Sequence, residues 1–132
     1  MNAVAPSIAG LTPLLEIFDM ERSLRFYRDI LGFTVESIAE GRGWCMLVHG
    51  GNTRLMLNTQ YDEDEQPKSP PLDRTRWHSD TTLYFDADPQ VIFNRLRELE
   101  WPASEPVLTS YNFWQTSTHD PDGFGLAFLR PA

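Results

Sequence analysis

The sequence predicts an α+β domain in which two βαβββ modules together form a curved, open, mixed sheet. Three observations predict it. The order of strand-like and helical segments in the first half recurs in the second, with Asp19 and Asp86 standing as equivalent landmarks 67 positions apart. A connector over 61–79, with three prolines and many charged side chains, separates the two runs. The 132 residues suit one domain, 1–132, with modules over about 11–60 and 80–130.

Each element has its own signals. Thr12–Phe18 reads as a short strand, and Asp19 as the N-cap of a helix. Met20, Leu24, Tyr27 and Leu31 follow at helical spacing with charged residues between them, and Gly32 stands just past the end. Three strand-like pieces come next, Thr34–Ala39, Trp44–His49 and Arg54–Asn58, with turns at Gly41–Gly43 and Gly50–Asn52. In the second half Thr81–Phe85 is the strand. Asp88 with Pro89 opens a helix whose stripe is Ile92, Leu96 and Leu99. Pro106–Thr109, Asn112–Thr118 and Gly125–Leu129 complete the set, with a D-P-D-G turn at 120–123. A curved sheet covered by its own helix on one face leaves the concave face open, and that face is where a ligand would sit.

Composition narrows the function. A net charge of −8 lacks the clustered Lys and Arg that nucleic acid demands, and it disfavours anionic membranes. No apolar run approaches the roughly 20 residues of a membrane span. The first ten residues carry no secretory pattern, and a single cysteine, Cys45, suits a reducing compartment. The expectation is a cytoplasmic protein with no nucleic-acid or membrane partner.

The stretch L-L-E-I-F-D-M-E-R-S-L-R-F-Y-R-D-I-L-G-F at 14–33 and H-D-P-D-G-F-G-L-A-F-L at 119–129 resemble the vicinal oxygen chelate superfamily. That group includes glyoxalases, extradiol dioxygenases and bleomycin-resistance proteins. The resemblance runs from Leu11 to Arg130 and implies the glyoxalase/bleomycin-resistance/dioxygenase fold, commonly completed as a homodimer. Metal-dependent members place one His, Glu or Gln on each of four strands. Counting from the two Asp landmarks and from D-P-D-G carries those positions onto Thr12, Met56, Asp80 and Ala127. Three of these cannot hold a divalent cation, so the resemblance implies a member without metal or other cofactor. His49, His78 and His119 match no compact ligand motif, although a site using His78 and Asp80 stays open.

Alternation along the strands nominates the residues of the concave face. Leu14, Glu16 and Phe18 share one face in the first strand; Arg54, Met56 and Asn58 share it in the fourth. Trp44 and Met46 join them, and Asp80, Thr82 and Tyr84 serve the second half. Tyr111, Phe113, Trp114 and Gln115 lie close to it. The candidate ligand-binding set is Glu16, Trp44, Met46, Arg54, Met56, Asn58, Asp80, Tyr84, Tyr111 and Trp114. Glu16 should either meet Arg54 as an ion pair, which is the favoured arrangement, or await a ligand. Aromatics and methionines with a few acidic groups suit a small organic molecule, cationic or aromatic. Binding without metal leads. A metal-dependent lyase, isomerase or dioxygenase with noncanonical ligands is the alternative, and a metal-independent enzyme using Glu16, Asp80 or Tyr84 is a third. Cys45, opposite in parity to Trp44 and Met46, reads as packing.

Overall fold

The computed structural model describes residues 4–59, 61 and 78–132. The connector expected over 61–79 therefore falls outside the described residues except at Tyr61, His78 and Ser79. Two four-stranded mixed sheets are present, ordered β1-β4-β3-β2 and β5-β8-β7-β6. The first contains β1 (Leu14–Glu16), β2 (Thr34–Ile38), β3 (Trp44–His49) and β4 (Thr53–Asn58). The second contains β5 (Thr82–Asp86), β6 (Val107–Leu108), β7 (Phe113–His119) and β8 (Gly125–Pro131). In each sheet the first strand runs parallel to the last and the other pairings are antiparallel. The parallel pair requires a crossover, which α1 (Met20–Leu24) and α2 (Pro89–Glu98) begin.

Local chemistry sets the helix starts. The Asp19 carboxylate accepts the Glu21 N–H, and Asp88 accepts those of Gln90 and Val91, with Pro89 in the first turn. The helix expected through Leu31 changes character at Arg25: residues Arg25–Ile30 form a wider π-helical segment. Leu31 N–H reaches back five residues to the Phe26 carbonyl at 3.0 Å. Gly32 then turns the chain at φ +83°, a left-handed conformation that glycine adopts without steric cost. In α2 the buried residues are Pro89, Phe93 and Leu96, whereas Leu99 is exposed as the C-cap. Phe93 thus takes the place in the core that the sequence pattern assigned to Leu99.

One hydrophobic core runs between the sheets. Leu15, Ile17, Cys45, Leu47, Leu55 and Leu57 supply it from the first sheet, and Leu126 and Phe128 from the second. Met20, Leu24, Phe26, Tyr27, Leu31 and Leu96 add the helical layer. Cys45 is buried there, and burial pushes its thiol upward, which leaves it protonated and inert. Phe18 departs from the expected alternation and is buried. The strand ends at Glu16, and the Phe18 N–H turns to the Asp122 carboxylate instead of a neighbouring strand.

The D-P-D-G turn proves to be a structural joint as well as a hairpin. Asp122, fully buried, accepts the Phe18 N–H at 2.9 Å, Arg22 Nη2 at 3.2 Å and Ser23 Oγ at 3.4 Å. Asp120 accepts its own turn's N–H groups from Asp122 and Phe124, and the Tyr27 hydroxyl at 2.7 Å. Burial pushes the Asp120 carboxyl up to about 6 despite those donors, with the Asp122 charge adding to the rise. Tyr27 is raised by burial and then by the Asp120 charge. Two carboxylates of the second half therefore bind the start of the first helix and its π-helical segment.

Candidate functional site

The registers of the first sheet line up the outward-facing residues in rows. Glu16 pairs with Asn58, which pairs with Trp44; Leu14 pairs with Met56, which pairs with Met46. Arg54 extends the same face beyond Met56. All six side chains in the two rows are at least partly accessible on the face opposite the core. The arrangement is a surface of two methionines, a tryptophan and a leucine with Glu16 and Asn58 at one end.

Glu16 does not meet Arg54. Both Glu16 carboxylate oxygens accept from Asn58 Nδ2, at 3.0 and 3.1 Å. Arg54 Nη2 pairs instead with Glu36 at 3.2 Å. Strand geometry explains the change: Asn58 lies directly across from Glu16, while Arg54 is four residues back along β4, roughly 13 Å away. The irregularity in β2 between Val35 and Ser37 supplies the replacement, because a bulge re-aims the extra residue, here Glu36.

In the second sheet Thr82, Tyr84 and Asp86 face the same way, as do Phe113, Gln115, Ser117 and His119 on β7, through Gly125, Ala127 and Leu129 on β8. Tyr84 is 61% exposed. Trp114 has the opposite parity. It pairs with Arg130 and shares its face with the buried Thr116 and Thr118, so it does not stand beside Tyr84. Tyr111 precedes β7 and donates its hydroxyl proton to Gln115 Oε1, which brings its ring beside Phe113. Asp80 is exposed in the turn before β5 and belongs to no strand.

A cleft of about 450 Å³ opens where the β1–β4 edge meets β5. Leu31, Phe33 and Phe128 form buried parts of its wall, with the half-buried Phe85 and Ile92 beside them, and Arg54, Tyr84, Asp86 and His49 bring exposed polar groups. Of the residues nominated from sequence, Arg54, Thr82 and Tyr84 reach this cleft. Phe33, Phe85 and Asp86 escaped that reading. Phe33 falls between Gly32 and the strand expected from Thr34, in no assigned element, and the meeting of β4 with β5 is a nonlocal fact. His49 is held there by donating from Nε2 to the Leu31 carbonyl at 3.2 Å, with its ring edge-on to Phe33.

The positions carried over for a metal do not form a donor set. Met56 lies between Leu14 and Met46, and Ala127 lies buried between Tyr84 and Ser117. Thr12 is half-buried ahead of β1. No group of three His, Cys, Asp or Glu suited to a metal ion occurs among the described residues. His78 is engaged elsewhere: its Nδ1 lies 2.9 Å from the Asp122 carbonyl, and its ring stacks on Phe124 at 4.0 Å.

With the paired four-strand sheets in place, the comparison with known families is direct. The family model for the Glyoxalase/Bleomycin resistance protein/Dioxygenase superfamily matches residues 14–129. The chain belongs to that superfamily. Solved structures agree on the fold. An antibiotic-binding protein, TnmS3 from Streptomyces sp. CB03234, superposes with a TM-score of 0.73 at 20% identity, covering 97% of this chain and 100% of that one. A bleomycin resistance determinant encoded on the transposon Tn5 gives 0.70 at 20% identity, covering 94% and 98%. A lactoylglutathione lyase from Agrobacterium tumefaciens gives 0.67 at 17% identity, covering 95% of each. No curated protein matches the chain significantly. At these identities the superfamily member shares a fold with both binders and a lyase, and its own residues must decide between them.

Proposed function

We propose that this superfamily member binds and sequesters a small organic molecule, flat and cationic or aromatic, without a metal ion. The observation that carries the reading is the identity of the four carried-over positions: Thr12, Met56, Asp80 and Ala127 offer one carboxylate where a divalent cation needs several hard or borderline donors. The outward rows of Trp44, Met46 and Met56, with the Glu16 carboxylate at their end, supply apolar contact and one negative charge for orientation. Arg54 and Tyr84, which reach the cleft beside β5, extend the same ligand-binding surface. The printed descriptions of an antibiotic-binding protein and a bleomycin resistance determinant among similar folds favour the same class of ligand.

The reading includes a homodimer. Tyr84 at 61% exposed and Leu14 at 44% leave apolar surface on both sheets that a second copy would cover. A reducing, cytoplasmic setting fits the buried single cysteine. No helix among the described residues is long and apolar enough to cross a membrane.

The deciding experiment is elemental analysis of the purified protein after incubation with Ni, Zn, Mn and Fe(II). The expected result is less than about a tenth of an equivalent of each metal. Near one equivalent of any of them, lost in His78→Ala or Asp80→Ala, would overturn the metal-free reading and make lyase and dioxygenase assays the next step. Titration with metal-free bleomycin, read by tryptophan fluorescence, then tests the ligand class. Saturable quenching that Glu16→Ala weakens is expected.

A further inference from the structure

We infer that a second ligand site, for a small aromatic carboxylate, lies between the π-helical segment and Trp101. A cleft of about 450 Å³ is lined there by Arg22, Arg25, Phe26, Ile30, Trp101 and Pro121. None of these residues belongs to the outward rows or to the cleft beside β5.

Three features point to a carboxylate with a flat apolar body. First, the site has cationic groups that the fold does not fully use. Arg25 is exposed and makes no hydrogen bond or ion pair among the described residues, and it helps lower the Asp29 carboxyl only as a lesser contribution behind Arg28. Arg22 spends one terminal nitrogen on Asp122, while its Nε is buried with no partner. The two stand three residues apart on one helical face, about 5–6 Å between their Cβ atoms. Guanidinium groups so placed suit the two oxygens of a carboxylate.

Second, the walls are flat and held in place. Trp101 packs on Phe26 with ring centroids 4.8 Å apart, and its indole N–H donates to the His119 carbonyl at 2.9 Å. A ring system entering the cleft meets a surface already ordered, so little side-chain entropy is lost on binding. Third, the helix widens into its π segment at Arg25, where a regular α-helix would continue, and such bulges frequently accompany functional sites. Arg95 stabilises the distortion by donating to the Asp29 and Ile30 carbonyls at 3.1 and 3.2 Å. The whole chain carries a charge of −8, so general attraction of anions cannot account for binding here; it must come from the local pair.

The test titrates the full chain with 1-naphthoate and follows the Trp101 indole N–H by nuclear magnetic resonance. Uncharged 1-naphthamide is the control. Saturable movement of the Trp101 signal is expected, with binding at least tenfold weaker for the amide and at least tenfold weaker in Arg25→Ala. That variant removes an exposed side chain that makes no hydrogen bond or ion pair among the described residues, so it should fold as the parent does, and Arg25→Lys should recover part of the affinity. Equal binding of the amide, or undiminished binding by Arg25→Ala, would overturn the proposal. So would a Trp101 signal that stays still while Trp44 moves.

Discussion

Replacing Asp122 by alanine should damage this protein more than any exposed substitution, because one fully buried carboxylate holds three donors from the other half of the chain. Its oxygens receive the Phe18 N–H, Arg22 and Ser23. Removing one member of a buried ion pair costs about 3–5 kcal/mol when the partner stays buried. The Arg22 side chain is 30% exposed and recovers some solvation, which favours the lower end. The orphaned Phe18 N–H adds about 1–3 kcal/mol, since the residue is only 5% exposed. The expected total is about 4 kcal/mol, a large share of the roughly 5–15 kcal/mol that holds a typical domain. Asp122→Asn keeps an acceptor for Phe18 and loses only the charge, so it should cost about half as much. Urea unfolding followed by tryptophan fluorescence in the cold measures both variants. A loss below about 1 kcal/mol for Asp122→Ala would refute the view that this residue joins the halves.

The other expectations are narrower. Asp120 should give the fold an acid-favouring component: burial raises its carboxyl from 3.8 to about 6, so its contribution is fully present below about 4 and is lost as the pH rises through 6. Between pH 4 and 7 the parent should therefore lose about 2–3 kcal/mol relative to Asp120→Asn, measured by urea unfolding at each pH; parallel curves would contradict it. Gly125→Ala should destabilise by about 1–3 kcal/mol in thermal melts, since the added Cβ would lie 2.7 Å from Thr82 Oγ1 and 3.2 Å from the Thr81 carbonyl. Arg54→Ala should change stability by less than about 1 kcal/mol in the same assay, because the Arg54–Glu36 pair is half exposed on both sides.

Much of the architecture was legible in the letters, and the reason is local physics. The Asp19 and Asp88 caps, Gly32, the D-P-D-G turn and the alternating strands each act within a few residues, so their spacing alone implies two βαβββ runs. Alternation also placed Glu16, Met56, Asn58 and Arg54 on one face, since a strand cannot present neighbours otherwise. Trp114 enters the candidate set with Tyr84 from nearness in the chain alone, and the register of β7 against β8 turns the two to opposite faces. Alternation carried Phe18 outward because nothing local shows where a strand stops pairing.

What only the tertiary structure decided is which distant residues meet. Glu16 finds Asn58 rather than Arg54 because the parallel register of β1 with β4 sets them opposite each other, and register depends on the whole packed sheet. Asp122 reads in sequence as a turn residue, yet its carboxylate meets Phe18 and Arg22, 104 and 100 positions away. By itself the sequence determined the elements, the superfamily, and the residue types at the four carried-over positions, Thr12, Met56, Asp80 and Ala127. The joint between the halves, the cleft beside β5 and the paired arginines facing Trp101 arise where chain segments far apart in sequence are packed into contact, and local spacing carries no record of that.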